Sequence, residues 1–297
     1  MLDPFFKGVT FFFAFSVVLL TLAIAVSLSI QSMPAIQRFG FSFLWGTDWD
    51  PVREQFGALP FLFGTGLTSV IALLVATPIA LGVSIFLSEL APRWLSDPVS
   101  YLVDLLAAIP SVLYGTVGIF ILVPIMRETI QPALSARLAF LPLFSGPPYG
   151  LGILTAGLLL SIMVLPFIIS ISREVMMSVT QTQREAILSL GATRWEMVSK
   201  VVLPLSKSGI MGSIFLGLAR ALGETMAVTM VIGNRPEIGL SLTNPGHTMA
   251  AVIANEFAEA ASDLHLSALM EIGLVLFAVS FIVNGAARFL VLDRARC

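Results

Sequence analysis

The sequence predicts an all-α polytopic membrane protein with six transmembrane helices. Two compositional facts and one pattern predict it. Of 297 residues, 57% are hydrophobic and only 11% are charged, against roughly 25% charged in soluble globular domains. The apolar residues gather in runs of about 20, the length that crosses a bilayer, and most charges fall between the runs. Intrinsic disorder is excluded because it requires low hydrophobicity. The net charge of −2 gives no basic field, which argues against nucleic acid as a partner. The single cysteine, Cys297, allows neither an internal disulfide nor a cysteine-based metal cluster.

The six runs are expected at about 8–30, 63–87, 99–123, 149–171, 208–233 and 267–291. Lys7 precedes the first run. That run is longer than the roughly 7–15-residue core of a signal peptide and no small-x-small cleavage site follows, so it reads as an anchor that stays. With the N-terminus inside, ten basic residues fall on the inner side, five of them within 173–207, against five in the outer loops. That bias places both termini in the cytoplasm. The chain divides into a first helix with its outer loop (1–62), a transmembrane domain with a cytoplasmic loop at 173–207 (63–292) and a short tail (293–297).

The first outer loop carries Phe39, Phe41, Phe43, Trp45, Trp49, Phe56 and Phe61. These read either as an anchor at headgroup level or as a docking surface. The outer loop 234–267 is acidic, and a short helix is expected in it from about 247 to 261.

Several chemistries are missing. The lysines are Lys7, Lys200 and Lys207, and none follows a glycine, so no nucleotide-binding P-loop exists. The histidines His247 and His265 stand outside the predicted spans with no His-Glu-x-x-His spacing, so neither a zinc site nor an intramembrane protease is indicated. No metal ligand set is found, and transport is left by elimination.

The inner loop is the best-punctuated segment. Thr182 and Glu185 stand at capping-box spacing, as do Thr193 and Glu196, and Gly191 suits the left-handed residue that closes a helix. Two short helices joined by a glycine bend are expected, the first burying Ala186, Ile187 and Leu190 and presenting Arg184 and Glu185. Pro204 is expected to end the second. The residues alone fit either an amphipathic elbow lying on the membrane or a rigid knob that docks into a soluble partner.

Here the residues resemble a known pattern. Glu185-Ala186-Ile187, Gly191 and Leu203-Pro204 are similar to the "EAA" loop of binding-protein-dependent ABC importer permeases, with Ile187 and Val201 as conservative departures. Further segments resemble the PstC-type permease family of high-affinity phosphate importers. They are Trp49-Asp50-Pro51, Phe56 to Phe61, Ile109-Pro110-Ser111 with Tyr114-Gly115, and Arg220-Ala221-Leu222-Gly223-Glu224-Thr225-Met226-Ala227-Val228. The resemblance spans about residues 40–290. It implies the type I ABC importer (MetI-like) fold, and a coupling helix at Arg184, Glu185, Ala186, Gly191, Ala192 and Thr193 that docks on an ATPase. It also implies a second permease subunit (PstA-type), two copies of an ATPase (PstB-type) and a periplasmic or lipid-anchored phosphate-binding protein (PstS-type), all working in the inner membrane. This chain would bind no cofactor, with ATP and Mg in the ATPase. A sulfate or molybdate permease, the PstA-type partner itself, and an ATP-independent carrier or channel stand as alternatives.

Arg220 and Glu224 lie four apart within the expected fifth span and would share a helix face. A single charge at the centre of a membrane helix costs roughly 2.5–3.5 kcal/mol on insertion scales, and pairing offsets part of it. Two readings stand: a structural ion pair, or Arg220 lining the substrate pathway with Glu224 holding it. Gly209, Ser213, Gly217 and Ala221 form a small-residue stripe that admits a close neighbour. Asp104 and Glu271 read as carboxylates near span ends. Pro110 and Gly115 are candidate hinge residues, expected to kink the third span.

Overall fold

The computed structural model describes residues 2–138 and 140–294. Arg296, Cys297 and part of the expected tail lie outside them. Twelve helices are used below: α1 (Leu2–Gln31), α2 (Met33–Phe39), α3 (Ser42–Trp45), α4 (Leu59–Leu90), α5 (Arg93–Ala107), α6 (Ser111–Arg137), α7 (Ile153–Met177), α8 (Gln181–Ser189), α9 (Arg194–Leu222), α10 (Met226–Ile232), α11 (Met249–Glu256) and α12 (Asp263–Arg294). Six of them, α1, α4, α6, α7, α9 and α12, are long and apolar enough to span a membrane. The number of spans is as expected, but two are placed differently.

The third span starts at Ser111, not near 99. Pro110 adopts an extended conformation at φ −59° and ψ 139°, because a proline has no N–H to donate and pushes its neighbour out of the helical region. Pro110 is therefore a boundary between α5 and α6, not a kink inside a span. Asp104 accordingly lies on α5, outside the span, and accepts a hydrogen bond from Ser170 Oγ at 2.9 Å.

The fifth span also differs. It begins at Arg194 and runs straight through Pro204. A wider turn at Val198–Val202 precedes the proline and absorbs its missing donor and its ring. The helix then stops at Leu222, and a separate short helix, α10, follows. Gly223 interrupts it, since glycine is a poor helix residue.

The core is built around α7. Leu160, Met163, Val164 and Ile168 of α7 pack on Ala72, Ala76 and Ala80 of α4. The small-residue stripe of α9 faces the same helix. A Cβ on Gly217 would lie 2.8 Å from Val164 Cγ1, and Ser213 Oγ meets Ser172 Oγ at 2.7 Å. Large side chains on that stripe would force the two helices apart.

The aromatic loop is mostly a packed cap rather than an interfacial anchor. Phe43, Phe56 and Phe61 are buried with Met249, Val252 and Leu269. Trp49 lies edge-on to Phe56 and Phe61 at 4.9 and 4.8 Å. Trp49 and Phe56 also pair in a two-stranded antiparallel ribbon, β1 (Trp49–Asp50) with β2 (Gln55–Phe56). The expected short helix is α11, with Thr248 Oγ1 accepting from the Ala251 N–H at 3.3 Å.

His247 lies under this cap, edge-on to Phe61 at 5.2 Å, and burial pushes its imidazole down to about 4. The unfolded chain protonates near 6.5, so the folded form loses stability as pH falls from about 6.5 and levels off below about 4. The slope approaches about 1.4 kcal/mol per pH unit. His247→Asn keeps an acceptor for the Thr248 N–H but cannot titrate. Melting of the purified protein at about pH 7.5 and about pH 5 is expected to differ less in the variant. Equal differences would exclude His247 as the cause.

Candidate functional site

Arg220 stands in the last turn of α9, half-buried. Its Cζ lies 4.1 Å from the centre of the Phe167 ring of α7. Its Nε is buried without a hydrogen-bond partner. Arg220 forms no ion pair among the described residues, and the expected pair with Glu224 is absent. The reason is the helix break: once α9 ends at Leu222, the four-residue spacing no longer puts the two side chains on one face. Glu224 instead accepts from the Ala227 N–H at 3.3 Å, closing the amino end of α10 as a helix-start carboxylate does.

A guanidinium is thus held against an aromatic face with donors to spare. The ring stabilises the cation through its face, and the in-plane N–H groups stay available in a fork that matches a tetrahedral oxyanion. Tyr114 is itself fixed by donating to the Leu106 carbonyl at 2.9 Å across the α5–α6 corner. Gly115 serves close packing: a Cβ there would lie 2.5 Å from Met230 Sδ and 3.1 Å from Ala227 Cα of α10. Pro110 and Gly115 therefore position the corner and the α6–α10 contact beside Arg220.

The inner loop forms the elbow that its punctuation predicts. Gly191 takes φ +84°, and the Gly191 and Ala192 N–H groups donate to the Leu188 and Ile187 carbonyls at 3.0 and 3.4 Å. That double bond pattern closes α8 as a Schellman motif. Thr193 and Glu196 form a complete capping box at the start of α9. The other box does not form. α8 starts at Gln181, two residues before a Thr182 cap would allow, and Glu185 accepts from Gln181 Nε2 at 3.1 Å.

The face that α8 turns inward also differs from expectation. Arg184 points into the protein, donating to Glu89 Oε1 and to the Met176 carbonyl, both at 2.8 Å. Glu89 is almost fully buried at the end of α4. This ion pair rotates the helix so that Ala186 is exposed, and Leu190 is 86% exposed. Trp195 at the start of α9 is exposed as well. The elbow is thus a stiff, outward-facing apolar surface tied by Arg184 to a membrane span. Sequence reasoning missed Glu89. Its signal was its standing two residues past the second apolar run as the lone charged residue between 59 and 90.

Six helices able to span a membrane, an arginine held within their bundle and a rigid elbow at the start of α9 define a polytopic membrane protein. Residues 78–294 match the family model of binding-protein-dependent transport system inner membrane components, and the chain belongs to that family. It is 49% identical over 296 residues to the phosphate transport system permease protein PstC of Pasteurella multocida, covering 98% of this chain and 92% of that one. It is 46% identical over 294 residues to PstC of Mesorhizobium japonicum, covering 98% and 90%. It is 36% identical over 285 residues to a probable phosphate transport system permease protein PstC of Methanocaldococcus jannaschii, covering 94% and 90%. Among solved structures, a chain of the inward-facing MetNI methionine ABC transporter superposes with a TM-score of 0.56 at 16% identity, over 79% of this chain and 95% of that one. That likeness identifies the fold as the ABC importer permease fold, as expected.

Proposed function

We propose that this chain forms half of the transmembrane pathway of an ATP-driven phosphate importer. The observation that carries the proposal is the 49% identity to a PstC permease across nearly the whole chain, together with the unpaired Arg220 guanidinium within the bundle. Arg220 offers paired N–H donors to the phosphate as it passes. A PstA-type permease completes the pathway, a dimer of a PstB-type ATPase supplies ATP hydrolysis with Mg, and a PstS-type binding protein delivers phosphate. This chain holds no cofactor of its own.

The elbow and both termini face the cytoplasm, a reading supported by the basic residues of 173–207. The ATPase grips Ala186, Leu190 and Trp195 on the exposed elbow, with Glu185, Gly191, Ala192 and Thr193 setting its shape. Closure of the ATPase dimer pulls the elbow, and the Arg184–Glu89 pair passes that pull to α4. The pathway then alternates between outward and inward access. The test is uptake of labelled phosphate by vesicles holding the assembled complex, with unlabelled sulfate or molybdate in excess. Uptake is expected to be indifferent to both anions, and strong inhibition by either would reassign the substrate.

A further inference from the structure

Another ionisable residue lies within a membrane-spanning helix. Glu271 stands about two turns into α12 and is only 6% exposed. Its Oε2 has no hydrogen-bond partner. An unpartnered buried carboxylate is costly in an apolar span, and a donor from outside the chain would offset that cost. The two arginines of the segment that covers it are already engaged. Arg38 is paired with Glu54 at 3.0 Å and Arg53 with Asp50 at 3.5 Å.

Glu271 instead lines a pocket of about 210 Å³ with Gly40, Phe41, Leu44, Leu274 and Val275. Gly40 turns the chain from α2 to α3 at φ +56°, which only glycine adopts without strain, and leaves the corner open. The pocket lies just past the end of the first span at Gln31, where the Ala35 N–H also donates to Ser267 Oγ of α12 at 3.0 Å. Beside it Phe41 is 87% exposed, as aromatic side chains are at the depth of lipid headgroups.

The chemistry of the occupant follows. Divalent metals ask for at least four ligands, and Ca2+ for six to eight oxygens, whereas this pocket offers one carboxylate among apolar walls. A primary ammonium brings three N–H donors on a compact cation. An attached hydrocarbon chain suits Leu44, Leu274 and Val275. We propose that this pocket binds an aminophospholipid of the phosphatidylethanolamine kind, its ammonium on Glu271 and an acyl chain along α12.

The test is native mass spectrometry of the assembled importer in mild detergent, with phosphatidylethanolamine and phosphatidylglycerol added in equal amounts. The wild-type complex is expected to retain the ethanolamine lipid preferentially. Glu271→Gln is expected to lower that preference about tenfold, the worth of one charge-assisted hydrogen bond. Leu274→Trp fills the pocket with the carboxylate intact, and is expected to lower retention likewise. It decides the matter if the glutamine variant fails to assemble. Equal retention of the two lipids by wild type would overturn the proposal, as would a preference that survives in every variant that assembles.

Discussion

Arg220→Gln, made at the normal level, is expected to lose phosphate uptake while the complex still assembles. The two halves of this expectation rest on the same observation. Among the described residues Arg220 makes no ion pair and its Nε is unpartnered, so removing its charge breaks no ion pair there and leaves no buried partner behind. Its stacking on Phe167 at 4.1 Å is a packing contact that glutamine partly keeps. The loss falls on the anion. Each charge-assisted hydrogen bond is worth roughly 1.5–3 kcal/mol, so a two-bond fork amounts to a fall of about a hundredfold or more. Arg220→Lys keeps the charge but not the fork and is expected to fall between the two. Uptake near wild type in the glutamine protein would remove Arg220 from the pathway.

Gly191→Val is expected to separate ATP hydrolysis from transport. The space around Gly191 is open, with nothing within 4 Å of an added Cβ, so the effect is not a clash. It is the backbone: φ +84° costs an ordinary L-residue about 1–2 kcal/mol, and a β-branched one suffers most. The chain relieves that strain by opening the Schellman closure, and α8 then loses its fixed angle to α9. The Arg184–Glu89 bond at 2.8 Å still tethers α8 to α4, so the elbow stays attached but no longer rigid. Hydrolysis continues and phosphate imported per ATP falls. Gly191→Ala, which lacks the branch, is expected to be milder. A wild-type ratio in the valine protein would show that the bend transmits nothing.

The residues explain which parts of this molecule were legible in advance. Long apolar runs announce spans whatever their tertiary neighbours, and all six were found. The Thr193–Glu196 box and the Gly191 closure are local, formed by residues within one turn, and both are present. What averaging over apolar residues does not see is a backbone break inside an apolar stretch. Pro110 and Gly223 each divide such a stretch, so the third span was placed too early and the fifth too late. The reverse error arose at Pro204, where the wide turn at Val198–Val202 carries the helix through. Thr182–Glu185 had the right spacing, yet α8 extends back to Gln181, because a pattern fits a cap only where the helix actually starts. Arg184 and Glu89 are 95 positions apart, beyond the reach of any spacing rule. Their pairing turned α8 over and put its apolar side outward. Arg220 was singled out as the odd charge in a span, and it lies in the last turn of α9. The expected pair with Glu224 does not form, because the break at Gly223 separates the two.

We propose that one site meets the anion and that another, near the opposite end of the same helix, carries the drive from ATP. Phosphate uptake and ATP hydrolysis measured in the same vesicles, on complexes carrying Arg220→Gln or Gly191→Val, test it most directly. Arg220→Gln is expected to lose uptake together with the phosphate-stimulated part of hydrolysis. Gly191→Val is expected to lose uptake while hydrolysis persists. Two variants with the same uptake-to-hydrolysis profile would contradict the division of labour between the two ends of α9.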